Sequence, residues 1–344
     1  MMPRRTLTTL CVALLAAGSI GGAQPSSPYR LIKQIPIGGA GGWDYLSIDP
    51  AAHRLYVSHS TKVVAIDTAH DAVVGEIAGT EGVHGFAVAA DLGLGFSSNG
   101  RANTVSVVEL ATLKTVDTIA VDQTPDAILY EPATQRVYTM NARGLSVSAV
   151  DAKTRSVVAT IPVGGKPESS ASDPDAKRLF VNIEDKNAIA VVDTAVNKVV
   201  ATWPIAPGTE CTGMAIDRRN HRLFAGCRNK LMLMLDSNSG KVLAKVPAGA
   251  GVDSTWFDPA TQLAYSSARD GTITVAKASP SALAVVETVT TAVGSRTMAL
   301  DPAADRLYLG AVDYAPVAGA AADALPDKAQ AKADTFRVLV FARR

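Results

Sequence analysis

The sequence predicts an all-β fold, a seven-bladed β-propeller with four antiparallel strands in each blade. Three observations carry this reading. A pattern of strand, DP-type turn, strand, polar turn, strand and strand, first complete in Trp43–Gly82, returns about every 40 residues, the repeat length of a propeller blade. A turn of the DP type or its equivalent falls at Asp49, Ala89, Glu131, Asp173, Asp217, Asp258 and Asp301. An acid before Pro suits a type I turn. Five residues after each anchor the second strand begins, at Arg54, Leu94, Arg136, Arg178, Arg222, Leu263 and Arg306.

Taken in order, the chain opens with Arg4 and Arg5, runs apolar from Leu7 to Ile20 and reaches Gly21–Ala23. This is the order of a secretory signal peptide, residues 1–23, cleaved near Ala23 and too short to span a bilayer. Cys11 sits early in the apolar run, which argues against a lipid anchor, and no later segment is apolar enough for a membrane helix. Residues 24–344 then form one domain, because blades bury their faces only against one another.

Tyr29–Ile37 precedes the first complete blade and reads like the outer strands VVATIPV and VVATWPI. Blade 1 continues with RLYVS, VVAID and AVVGEIA. In blade 5, Gly213 and Ala215 alternate with Met214 and Ile216 along the innermost strand, the period of packed sheets. Blade 7 supplies RLYLG, then an Ala/Pro/Asp/Lys-rich insertion at about 311–334, then TFRVLVFAR, and lacks a fourth strand. The N-terminal strand is expected to fill that place and close the ring, leaving a monomer without open sheet edges. The insertion reads as a disordered loop or a lid over the channel, its composition favouring disorder.

Five residues before each anchor lie Asp44, His84, Asp126, Glu168, Thr212, Asp253 and Arg296, expected at the mouth of the central channel. Six of these seven are ionisable, which departs from a core pattern, and converging carboxylates raise one another's pKa. The turns between second and third strands share this face. Among them Asn99, Arg101 and Asn141 follow strand ends and are expected to point at the channel, whereas Glu184, Asp185, Lys186, Arg228 and Arg269 read as solvated turn charges. His53, His70 and His221 fall on the opposite face. His84 and His59, with Asp44 and Asp126, make a candidate N/O site for a divalent ion, the only cofactor the sequence suggests. The competing reading is a structural plug in which His84 is hydrogen-bonded to Asp44 or Asp126.

Cys211 and Cys227 make one expected disulfide. Counted from the pair Asp217–Arg222, position 211 falls opposite 228, so bridging requires the chain at Cys211 to bend. The signal segment holds two of the 33 basic residues and none of the 32 acidic ones, so the mature chain is nearly neutral. That balance and the sparse aromatics on the polar loops argue against nucleic acid as a partner. Motifs for covalent haem, phosphate-cradling loops, serine nucleophile elbows and HExxH zinc sites do not occur.

The repeats RLYVS…VVAID, RLFVN…IAVVDT and VVATIPVGGKP resemble those of the secreted YncE-like (YVTN-repeat) seven-bladed propellers over nearly the whole mature chain. The resemblance implies a periplasmic or secreted protein whose channel mouth binds a small polar ligand, a metal or a protein partner. Asp44, His84, Asn99, Arg101, Asp126, Asn141, Glu168, Asp253 and Arg296 are the binding candidates. The alternative is a metal-assisted hydrolase or lyase acting on a lactone-like or other oxygenated molecule. There His84, Asp126 and Glu168 would be the catalytic groups, and Arg296 or Arg101 a clamp on substrate oxygens.

Overall fold

The computed structural model describes residues 28–315 and 331–343 and contains seven four-stranded antiparallel sheets. The expected signal peptide and most of the blade 7 insertion lie outside the described residues. The innermost strands are Trp43–Asp49, Val83–Ala89, Pro125–Glu131, Pro167–Asp173, Cys211–Asp217, Val252–Asp258 and the shorter Met298–Asp301. Arg306–Ala311 is the second strand of blade 7, so the insertion begins only after Ala311, with Tyr314 bridging to Ala331. The N-terminal strand Arg30–Pro36 pairs antiparallel with Arg337–Ala342 and completes that sheet. Among the described residues no helix is long and apolar enough to cross a membrane.

Why the blades pack is visible in one repeated position. Seven residues after each anchor stands an aromatic ring: Tyr56, Phe96, Tyr138, Phe180, Phe224, Tyr265 and Tyr308, all buried. Each heads a cluster that joins neighbouring blades; Tyr138 and Met140 of blade 3, for instance, pack with Leu179 and Val181 of blade 4. A large ring at every interface supplies apolar area where two flat sheet faces meet. On the face away from the channel mouth, the arginine opening the second strand reaches into the next blade. Arg136 donates to Thr194 O at 2.9 Å, Arg178 to Ser237 O at 3.1 Å, Arg222 to Ser279 O at 2.7 Å and Arg306 to Thr68 O at 2.9 Å.

The innermost strands share a defect that positions the site. In blades 1 to 6 the register against the second strand slips by one residue near the channel mouth, as between Val83/Gly85 and Val252/Ser254. Such a bulge re-aims a side chain. Asp44, His84, Asp126, Glu168, Thr212 and Asp253 all fall within it. Arg296 lies two residues before the short first strand of blade 7, Met298–Asp301.

The bulge also corrects the expectation for the cysteines. It sets Cys211 directly opposite Cys227, not opposite Arg228, and the two form a disulfide between buried residues. Gly208 covers the bridge, since a Cβ there would lie 2.7 Å from Cys227 Sγ and 3.0 Å from Cys211 Sγ.

Candidate functional site

The seven ring positions meet at one mouth of the channel, and their side chains divide into two groups. In blades 1 to 3, His84 Nδ1 lies 2.6 Å from Asp44 Oδ2 and 3.5 Å from Asp126 Oδ1. In blades 4 to 7 the charges are paired in a chain. Lys166 Nζ donates to Glu168 Oε1 at 2.8 Å and also to Glu184, and Arg228 holds Glu184 Oε1 at 2.6 Å. Arg296 Nε then holds Asp253 Oδ2 at 2.7 Å, and its far Nη2 donates to Trp43 O at 3.2 Å. Thr212 is the uncharged member and spends its hydroxyl on Val252 O, 2.6 Å away.

Electrostatics follows from this crowding. Burial opposes the charged imidazole of His84, but the hydrogen bond to Asp44 and the charges of Asp126, Asp44 and Glu168 outweigh it and lift its pKa to about 9. Burial and the Asp44 charge push Asp126 up to about 7. Glu168 rises to about 9 through burial and Asp126, against the pull of Lys166. Burial raises Asp253 as well, opposed by Arg296. The cluster therefore holds protons that isolated carboxylates release.

Beneath the ring the channel widens into a cavity of about 450 Å³ lined by the innermost strands. Tyr45 stands between the two, and burial together with the charges of Glu168, Asp126, Asp253 and Asp44 holds its hydroxyl well above the usual range. Tyr45 is not among the residues that counting from the turns singles out. Its signal was present: the residue after the ring position is Gly85, Ala127, Ser169, Gly213, Ser254 and Thr297 in the other blades, all small. Lys166 and Glu184 join the site from outside the ring position: Lys166 stands two residues before Glu168 in the chain, and the fold brings Glu184 to both.

Other expected residues do not join the cluster. Asn99 and Asn141 are buried away from the channel. Asn99 donates to Thr104 Oγ1 at 3.1 Å and Ser106 Oγ at 2.8 Å, and Asn141 to Ser146 Oγ at 3.0 Å and Ser148 Oγ at 2.9 Å. They end second strands, whose side chains face neighbouring blades and not the channel, so both tie strands together inside a blade. His59 is likewise displaced. Its ring stacks on Phe336 at 4.4 Å, its Nδ1 lies 3.2 Å from Gly42 O, and burial lowers its pKa.

For a divalent ion this leaves Asp44, His84 and Asp126, whose nearest ligand atoms lie within 4.8 Å of one another. The 2.6 Å contact is a hydrogen-bond distance, and with its pKa lifted to about 9 the His84 ring carries the proton on Nδ1 at neutral pH. As it stands the trio is an ion pair, and an ion bound there has to displace that proton.

Arg101 lies at the rim. With His84, Gly100, Asn103, Gln123 and Arg143 it lines a polar pocket of about 450 Å³ at the junction of blades 2 and 3.

No protein-family model and no curated protein matches this chain in sequence. Solved structures do match its fold. A chain of the Kuenenia stuttgartiensis hydrazine synthase superposes with a TM-score of 0.70 at 17% identity, covering 85% of this chain and 96% of that one. A chain of a mitotic checkpoint complex superposes with a TM-score of 0.73 at 15% identity, covering 100% of this chain and 99% of that one. At such identities the likeness establishes a seven-bladed β-propeller and carries nothing about ligand or reaction.

Proposed function

We propose that the protein is an exported, YncE-like binding propeller that takes up a small polar ligand, or a polar segment of a protein partner, at the ring-bearing mouth of its channel. One observation carries the reading: half-buried His84, held in the ring by Asp44, also borders a polar pocket of about 450 Å³ that Arg101 and Arg143 line. Export to the periplasm or beyond is supported by the order of the N-terminal residues and by the Cys211–Cys227 bridge, which belongs to an oxidising compartment. The test is native mass spectrometry with elemental analysis on protein exported to the periplasm and purified without chelators. A molecule or ion retained by the wild type and lost from His84→Gln and Asp126→Asn supports the reading. Equal, empty spectra make the ring a structural plug and sink it.

One observation favours a second reading, an enzyme. A carboxyl pushed to about 7 beside a protonated His84 is poised to exchange protons near neutral pH. In a metal-assisted hydrolase or lyase acting on a lactone-like molecule, Arg101 is the better clamp, because Arg296 is already engaged by Asp253. Turnover that survives His84→Ala and Asp126→Ala would exclude it.

A further inference from the structure

The charges around the channel mouth are unevenly satisfied. In blades 4 to 7, Lys166, Arg228 and Arg296 each face a carboxylate at 2.8 Å or less. In blades 2 and 3, the guanidinium groups of Arg101 and Arg143 have no ion-pair or hydrogen-bond partner among the described residues, and no carboxylate lines the pocket they share. The two arginines occupy the same place in successive blades, twelve residues after the anchors Ala89 and Glu131. The repeat itself therefore brings them to one junction.

Two further lining residues offer donors. Asn103 Oδ1 accepts from Thr124 N at 2.8 Å, which turns its NH2 group free to donate. His84 is held on its Nδ1 side by Asp44, and its Nε2 has no partner among the described residues. That edge lies against Gly100, where a Cβ would come within 2.8 Å of Nε2, so glycine keeps the imidazole accessible from the pocket. Two guanidinium groups, an imidazole N–H and an amide lining one pocket that no carboxylate enters make a site for an anion, although Asp44 and Asp126 sit behind the imidazole, since charge-assisted hydrogen bonds to oxyanions are the strong ones.

We propose that this pocket binds the oxyanion of a small organic acid, a carboxylate or a phosphate, between Arg101, Arg143 and His84. The inference rests on the reading that the mouth binds a small polar ligand, and it names the ligand's chemistry. The experiment is isothermal titration calorimetry of the mature protein with malonate and, separately, inorganic phosphate, at constant ionic strength in chloride. Saturable binding of either probe is expected, weakened about tenfold by Arg101→Gln or Arg143→Gln alone and abolished by the pair. Binding of malonate alone assigns a carboxylate ligand, and binding of phosphate alone a phosphoryl one. Lys186→Gln, an exposed charge on the same face that pairs with Asp185 at 3.3 Å, serves as control and leaves the affinity unchanged.

Failure of both probes, or weakening by Lys186→Gln equal to that by the arginine variants, overturns the proposal. A retained native ligand lost from Asp126→Asn but kept by the double arginine variant overturns it too, while leaving the broader binding reading intact. Both arginines are exposed, so circular dichroism and melting curves matching wild type are expected and separate lost binding from lost fold.

Discussion

Asp126 is the residue at which the physics of the mouth is most directly measurable. Its carboxyl is raised from 3.8 to about 7 by burial and by Asp44, with His84 only partly opposing. A raised folded pKa means the native state binds the proton more tightly than the unfolded chain does. The stabilisation is complete below 3.8 and is lost as pH climbs through about 7. Asp126→Asn has the same shape and is neutral throughout, so its melting temperature is expected to gain on wild type from pH 3.8 to about pH 7 and to hold that gain at higher pH. The gain should be about 1.5 °C for each kcal/mol of relieved charge, given the size of the domain. A pH-independent difference between the two proteins would contradict this. His84 remains held in the variant, because Asp44 provides its shorter contact, 2.6 Å.

At the scale of the strand, one bulge repeated from blade to blade determines what is seen at the mouth and explains which residues the sequence disclosed. Ring residues from Asp44 to Arg296 were legible by counting from the turns, because each lies a fixed five residues before its anchor. Side-chain direction was not. Reversing a strand's register by one residue exchanges its faces, and a bulge does this locally without changing the residue count that the sequence displays. That is why Cys211 was expected opposite position 228 and stands opposite Cys227. It is not why Asn99 and Asn141 were misplaced; they belong to second strands, one step removed from the channel. His59 was drawn away by Phe336, a partner 277 residues along the chain that no local pattern announces. The disulfide offers a test at this scale. It closes a loop of sequence separation 16, for which chain entropy gives about 3 kcal/mol. Urea unfolding of Cys211→Ser/Cys227→Ser is expected to show that loss, and titration of denatured, unreduced wild-type protein should find neither thiol free. An unchanged midpoint would mean that the bulge holds the strands without the bridge.

For the whole molecule, the decisive feature is that the ring closes by hydrogen bonds and not by covalent continuity. Arg30 lies opposite Ala342 and Pro36 opposite Arg337, so the two ends of the described chain leave the last sheet side by side. Both are fastened to one residue of blade 6: the Tyr29 N–H donates to Glu287 Oε1 at 2.7 Å, and Arg343 Nη2 lies 3.4 Å from Glu287 Oε2. Tyr29 also meets Tyr265 at 3.2 Å, and the Arg343 guanidinium covers its ring at 4.4 Å. In blades 1 to 4 a four-residue turn joins the third and fourth strands, as between Asp67 and Ala72. Linking Arg343 to Tyr29 through Asn-Gly gives blade 7 the same turn and preserves the contacts to Glu287. Opening that permuted chain between Ala111 and Thr112, both exposed, makes Lys114–Ala120 the closing strand of blade 2 in the manner now used by blade 7. If closure depends only on strand pairing and on interfaces that are alike from blade to blade, the permutant folds with a melting temperature within a few degrees of the parent. Removing Arg30–Pro36 from the parent, by contrast, uncovers the edge of Arg337–Ala342 and the socket of buried Ile35. That protein is expected to associate with concentration in size-exclusion chromatography and to lose its single sharp unfolding transition. A permutant that fails to fold, beside a truncated chain that stays monomeric and cooperative, would show that blade 7 holds without its clasp and that the blades are not interchangeable.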